Sequence, residues 1–209
     1  MRREPTSSPR SRALLGLRRG AERRGYGGPI HGSDADYLLT DDRNCLLLPD
    51  DMSFEVGALI ACNTGTAFSS MRKLSPSGND CLVVFGLGPV GLNGVLIAKA
   101  LGARVIGVDV AEARRRLAAD LGADDVLDAT RVDVPTEVRR RTGGEGADLA
   151  FETSGNPAAQ AQVPEVLRYG GKAVFVGIGS RTPSLTPTAF IGKQLTLMGS
   201  FVSTLPDYW

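Results

Sequence analysis

Cysteine, histidine and aromatic residues are scarce in this 209-residue chain, and the scarcity narrows what it can be. Three cysteines, Cys45, Cys62 and Cys81, lie far apart with no apolar signal-peptide core, which excludes a disulfide framework and fits a reducing compartment such as the cytoplasm. With 6% aromatics, 26 glycines and short recurring blocks of Ala, Val and Leu, the composition favours an α/β protein over a β-sandwich. Long apolar runs are missing too. The most apolar stretch, 81–110, is broken by Asn93, Lys99, Arg104 and several glycines, so no membrane span is expected. Net charge is nearly absent at +1, but residues 1–24 hold eight Arg against two Glu and leave the remainder at −5. A mildly acidic body offers no general attraction to nucleic acid, and none is expected as a partner.

What is present is an ordinary globular composition, 42% hydrophobic and 22% charged, long enough for one full domain and part of another. Residues 1–24, rich in Arg, Ser and Pro, cannot bury a face and read as a disordered arm. An Arg-rich start suits an organellar transit peptide, but Glu4 and Glu22 weaken that reading, and a mis-started N-terminus explains it equally well. GGPIHGSDADYLLT is turn-rich, and DRNCLLLPDDMS predicts a short strand stopped by Pro49. Ser53 is placed to cap a helix over SFEVGALIA, continued by TGTAFSSMRKL up to the turn PSGND. From Cys81, six apolar runs predict strands: CLVVF, ARVIGVD, DDVLD, ADLAFE, KAVFVG and QLTLMGS. Helices are predicted between them over Val90–Leu101, over Ala111–Leu121 with Ala113, Leu117 and Leu121 inward and Arg114, Arg115 and Arg116 mostly outward, and over Asn156–Tyr169. Pro164 predicts a kink or late start in the last, and Gly170-Gly171 its end. The alternation predicts a doubly wound, six-stranded parallel sheet with helices on both faces.

The turn Gly86-Leu87-Gly88-Pro89-Val90-Gly91 follows an apolar strand and opens a helix, and the next strand ends at Asp109, 18 residues beyond Gly91. This is the arrangement of a dinucleotide-binding βαβ unit. Gly86 permits the tight turn, Gly88 lets backbone approach a pyrophosphate, and Gly91 lets the helix sit close to the strand. Amides at the helix start, around Pro89, Val90 and Gly91, face the phosphates. Asp109 would accept hydrogen bonds from the adenosine ribose hydroxyls and repel a 2′-phosphate, which favours NAD over NADP. Plain turn glycines, and an Asp109 that caps the following helix, are the simpler alternatives. An S-adenosylmethionine methyltransferase also carries a glycine-rich turn and an acidic strand end, but this chain lacks the acidic residue usual there before the glycines.

The ordered segments HGSDADYLL, LPDDMSFEVGALIACNTGTAF, VVFGLGPVG, VIGVD, LGADDVLD, TGGEGADLAFETSG, LRYGGKAVFVG and KQLTLMGS resemble the zinc-containing medium-chain alcohol and polyol dehydrogenases, especially their threonine and sorbitol dehydrogenase-like branch. The resemblance runs from about Gly25 to Ser203. It implies a remnant of a GroES-like catalytic domain with connecting helices over 25–74, then a C-terminally truncated Rossmann domain over 75–209. It implies oxidation of a small alcohol or polyol with NAD and zinc, in a homo-oligomer built through the last strand near Gln194–Gly199. Carried over by position, Cys62 is a catalytic-zinc ligand, and Thr66, the catalytic candidate, lies beside the nicotinamide phosphate and ring. Arg114 lies near the adenosine ribose, and Gly177, Ile178 and Gly179 run along the nicotinamide.

One thiolate does not make a catalytic zinc site, which needs three protein ligands and an open position. The upstream Cys, the His-Glu pair and the four-cysteine structural lobe of such enzymes are absent, and the single histidine, His31, reads as a turn or surface residue. Cys62 therefore has a bland reading as a buried, small apolar residue. Two functions stay open: an oxidoreductase of which this chain holds the cofactor half, or a dinucleotide-binding module without catalysis.

Overall fold

The computed structural model describes residues 36–40 and 45–203; the Arg-rich arm and His31 lie outside these. The elements are, in chain order, α1 Phe54–Leu59, a π-helical turn Ile60–Thr64, α2 Gly65–Leu74, β1 Cys81–Phe85, α3 Pro89–Ala100, β2 Arg104–Asp109, α4 Glu112–Asp120, β3 Asp125–Asp128, α5 Val134–Arg141, β4 Ala147–Glu152, α6 Pro157–Val166, β5 Leu167–Phe175, α7 Pro187–Ile191 and β6 Thr196–Gly199. The described residues fall into two units, one ending at Gly57 and the other spanning Ala58–Ser203.

In the first unit, residues 45–49 are irregular, not the short strand expected there. Pro49 closes a turn, its carbonyl accepting from the Met52 amide at 3.0 Å. Leu48 packs over α1 instead of pairing: a Cβ on Gly57 would lie 2.8 Å from a Leu48 methyl. Ser53 caps α1 as expected, its hydroxyl accepting from the Val56 amide at 3.3 Å.

The second unit is built on a parallel sheet in the order β3-β2-β1-β4-β5-β6. β1 is buried along its whole length, because helices cover both faces. Leu82 and Val84 face a cluster with Met71 and Leu74 of α2 and Val95 and Ala98 of α3. Val83 and Phe85 face another, with Val138 of α5 and Val163 and Val166 of α6. The six apolar runs thus became the six strands, and period-2 alternation split each run between two cores.

Two helices differ from expectation. α4 buries Ala118, while Leu117 is 45% exposed and Ala113 also faces outward. The reason is Arg115, whose guanidinium turns inward to the ends of β2 and β3 and rotates the face that meets the sheet. α6 stops at Val166, and Gly170-Gly171 lie inside β5 instead of ending the helix. Pro164 stays within α6, and at the helix end Lys193 donates at 2.9, 3.1 and 2.7 Å to the carbonyls of Pro164, Glu165 and Leu167, which have no helical donors beyond Val166. Burial, together with Arg139, pushes the Lys193 ammonium below the ordinary lysine range. The pairing of β5 with β4 slips between Ala147 and Leu149, which absorbs the extra residues of the Arg168-to-Gly171 bend.

Phe151 of β4 is fully buried against α3, where Gly94 leaves room for its ring: a Cβ there would come within 2.7 Å. Truncation of Phe151 to Ala is expected to cost about 3–5 kcal/mol. Urea denaturation followed by circular dichroism should show a lowered midpoint with an unchanged slope.

Candidate dinucleotide-binding site

In this strand order the chain leaves β1 toward β2 on one side and begins again at β4 on the other, so a crevice opens at the carboxyl ends of β1 and β4. The glycine turn lies there. Its three glycines meet three different demands. Gly86 has φ +85°, in the left-handed region, and a Cβ on it would lie 2.8 Å from the Ser154 amide nitrogen. Gly91 is forced by packing, since a Cβ would stand 1.9 Å from the Gly86 carbonyl oxygen. Gly88 is under neither constraint: its φ of −73° suits any residue, and a Cβ would meet no atom within 4 Å. Among the described residues neither backbone strain nor packing calls for glycine at 88, only the mild preference of a helix N-cap; close approach by a ligand would call for it more strongly.

Gly88 is also the N-cap of α3, and no side chain caps that end among the described residues. Pro89 occupies the first helical position, where the lost N–H was without an intrahelical partner anyway. The amides of Val90 and Gly91 follow at the positive end of a 12-residue helix. Backbone donors, an open cradle and a favourable dipole fit a pyrophosphate.

Asp109, at the end of β2, is 7% exposed. One carboxylate oxygen accepts from the Leu87 amide at 2.7 Å and the other from the Ala111 amide at 2.8 Å. It therefore ties the glycine turn to the end of β2 and holds the Ala111 amide, but it does not cap α4 as the simpler alternative had it: Ala111 is the N-cap, with no side-chain cap. Arg114 stands 3.7 Å from the same carboxylate and is 57% exposed. Arg115 is the more deeply held neighbour: it donates to the Asp109 carbonyl at 2.9 Å and pairs with Asp128 at 2.8 Å. The Thr130 hydroxyl and amide, seconded by Arg115, hold the Asp128 carboxyl below its usual range.

Across the crevice, the segments after β4 and β5 cross at backbone distance. A Cβ on Gly177 would lie 2.1 Å from the Gly155 nitrogen, and one on Gly179 the same distance from the Gly155 oxygen. Ile178 between them is 81% exposed. Sequence reasoning singled out Gly177, Ile178 and Gly179 but missed their partners. Thr153 donates from its amide to the Phe85 carbonyl at 2.9 Å and from its hydroxyl to the Gly86 carbonyl at 2.8 Å, fastening β4 to the glycine turn. Glu152, fully buried at the end of β4, accepts from Ser154, Gly155 and Gln160. An acidic residue closing a strand beside the strand-order reversal was the signal available, since Asp109 was recognised by the same position.

Thr66 is buried in the first turn of α2, where its carbonyl accepts from the Ser70 hydroxyl at 2.8 Å. Cys62 is an exposed thiol in the π-helical turn. That turn is bound to α3: the Thr64 hydroxyl donates to Asn93 at 2.8 Å, and the Asn93 amide donates to the Pro89 carbonyl at 2.8 Å. The structure thus brings the Cys62–Thr66 segment against the same helix that begins with the glycine turn. Among the described residues no group of three or more His, Cys, Asp and Glu side chains is placed to hold a metal ion. Cys62 is exposed, not the buried apolar residue of its simpler reading, and with no two further ligands gathered beside it among the described residues it does not fit a catalytic zinc ion.

Comparison with known proteins agrees with this geometry. A family model described as zinc-binding dehydrogenase matches residues 89–209. An uncharacterised zinc-type alcohol dehydrogenase-like protein of Escherichia coli is 36% identical over 182 residues, 86% of this chain and 51% of its own length. Sorbitol dehydrogenase of Bacillus subtilis is 32% identical over 176 residues, 83% of this chain and 49% of its own. An alcohol dehydrogenase of Aeropyrum pernix superposes with a TM-score of 0.79 at 30% identity, over 85% of this chain and 53% of that one. The chain spans about half the length of the curated relatives it matches. From strand order, glycine turn and sequence together, the chain belongs to the zinc-binding dehydrogenase family.

Proposed function

We propose that this chain binds NAD at the glycine turn and serves as the cofactor half of an oxidoreductase acting on an alcohol or polyol. Gly88 carries the reading, because neither backbone strain nor packing among the described residues requires its lack of a side chain, which leaves the start of α3 open to a phosphate. Bound NAD would supply the hydride acceptor for oxidation of the alcohol to a carbonyl compound. The residues of this chain would bind and orient it: the α3 amides for the pyrophosphate, Asp109 with Arg114 for the adenosine ribose, and Thr66 with Gly177–Gly179 for the nicotinamide. Sorbitol and butanediol dehydrogenases of Bacillus subtilis among the relatives support a hydroxylated small molecule as the substrate class.

A second reading, binding without turnover, is favoured by the ligand set: among the described residues no three His, Cys, Asp or Glu side chains gather to hold a zinc ion. The two readings part when the zinc-loaded protein is offered NAD and a panel of alcohols and polyols. For this chain on its own, calorimetric NAD binding without growth of NADH absorbance is expected. NADH production would overturn the binding-only reading; absence of NAD binding would overturn both.

Gly88 and Gly91 separate binding from folding. Gly88→Ala is expected to weaken NAD at least about tenfold, while leaving the thermal midpoint nearly unchanged. Gly91→Ala, driven into a backbone oxygen, is expected to destabilise by about 3 kcal/mol or more. A Gly88→Ala protein that binds NAD normally would remove the phosphate assignment. Asp109→Ala is expected to abolish the preference for NAD over NADP and to cost about 1–3 kcal/mol, because the Leu87 amide loses its acceptor. Titration with both nucleotides, alongside a denaturation curve, measures the two effects.

A further inference from the structure

We infer that Glu152 is a positioning residue for the nicotinamide half of the cofactor, an inference that rests on the NAD-binding reading above. Its carboxylate is fully buried at the carboxyl end of β4, beside the strand-order reversal. Oε1 accepts from the Ser154 amide at 2.9 Å, the Gly155 amide at 3.1 Å and the Ser154 hydroxyl. Oε2 accepts from the Gln160 side chain at 3.2 Å. The same Gln160 nitrogen donates to the Gly177 carbonyl at 3.2 Å, which fixes the orientation of its amide because both neighbours are acceptors.

The result is a clamp on the crossing of two loops. Through its own backbone, Glu152 also holds the later loop: its carbonyl accepts from the amides of Val176 at 2.8 Å and Gly177 at 3.0 Å. Gly177 sits so close that a Cβ would lie 2.6 Å from Oε2. The carboxylate thus sets the height at which Gly155 and Gly177–Gly179 pass each other, and hence where the exposed backbone around Ile178 presents itself to a ligand. The pyrophosphate cradle rests on Gly86, Gly91 and Asp109 and meets the clamp only at Ser154, packed against Gly86, and at the neighbouring Thr153. The link through Gln160 to the Gly177 carbonyl runs to the other loop, so it is through Gln160 that Glu152 acts on one end of the dinucleotide more than on the other.

Glutamine at 152 keeps the shape but has one acceptor atom where four donors converge, so an N–H must face either the Ser154 and Gly155 amides or Gln160. A Gln160→Leu replacement removes both Gln160 bonds, to Glu152 Oε2 and to the Gly177 carbonyl, and leaves the Ser154 and Gly155 bonds in place. The test is calorimetric titration of wild type, Glu152→Gln and Gln160→Leu with NADH and with ADP-ribose, which lacks the nicotinamide. Both variants are expected to bind NADH about tenfold more weakly and ADP-ribose within about twofold of wild type. Equal weakening of both ligands, or none, would overturn the inference by reducing Glu152 to a structural role. Should Glu152→Gln fail to fold, the Gln160→Leu pair of titrations decides alone. A wild-type protein that binds neither ligand would overturn the NAD reading itself, an outcome distinct from loss of selectivity.

Discussion

The approach of α3 to the turn that precedes it governs this molecule. Where Gly91 faces the Gly86 carbonyl there is no space for a methyl group, and that single contact fixes the height and tilt of the helix over β1. Phe151 then fits over Gly94 one turn further along, and Met71 and Leu74 of α2 complete the core against Val95 and Ala98. A helix one ångström further out would loosen that core and would also carry its N-terminal amides away from the crevice. Packing and, on the proposed reading, phosphate recognition are two consequences of one backbone distance.

The carboxyl ends of the strands repeat one device. Asp109 at the end of β2 and Glu152 at the end of β4 are both buried acids whose oxygens accept backbone amides from the loops that follow or face them. Loops at the top of a parallel sheet have amides with no ladder to join, and a buried carboxylate satisfies two or three of them at one point. Charge-assisted bonds of this kind offset the desolvation of the acid and restrict the loop to one geometry. The two acids serve different ends of the crevice, Asp109 the glycine turn and Glu152 the Gly155–Gly177 crossing.

Much of this was legible from sequence because it follows from period and from glycine. The six strands appear as apolar runs of the right length, and strands buried on both faces have no competing reading in a chain of this composition. The glycine turn was legible because strand, turn, helix and acidic strand end fall at the required spacing. The missed features depend on what the chain meets in space. Arg115 looked like one of three outward arginines until the ends of β2 and β3 supplied its acceptors. Gly170-Gly171 looked like a helix stop, but Val166 already ended α6, and the glycines serve the bend within β5. Residues 45–49 have the composition of a strand and no neighbouring ladder, so Leu48 packs on α1 instead. Glu152 needed the β4–β5 neighbourhood to be seen at all.

Cofactor binding and oxidation are separable in this architecture, and the distribution of residues shows where the division lies. The determinants of a dinucleotide site are contiguous: a turn, the helix after it, and the ends of adjacent strands, all within Ala58–Ser203. The determinants of a catalytic zinc site are dispersed by nature, because three ligands must converge on one ion from segments distant in sequence. On the proposed reading the first set lies together in this chain, while Cys62, in the π-helical turn, stands at one position of the second. That turn is bound to α3 through Thr64, Asn93 and the Pro89 carbonyl, so the Cys62–Thr66 segment is tied to the start of the helix that follows the glycine turn. A nucleotide held at the glycine turn would therefore be aligned with the Cys62–Thr66 segment by the same bonds.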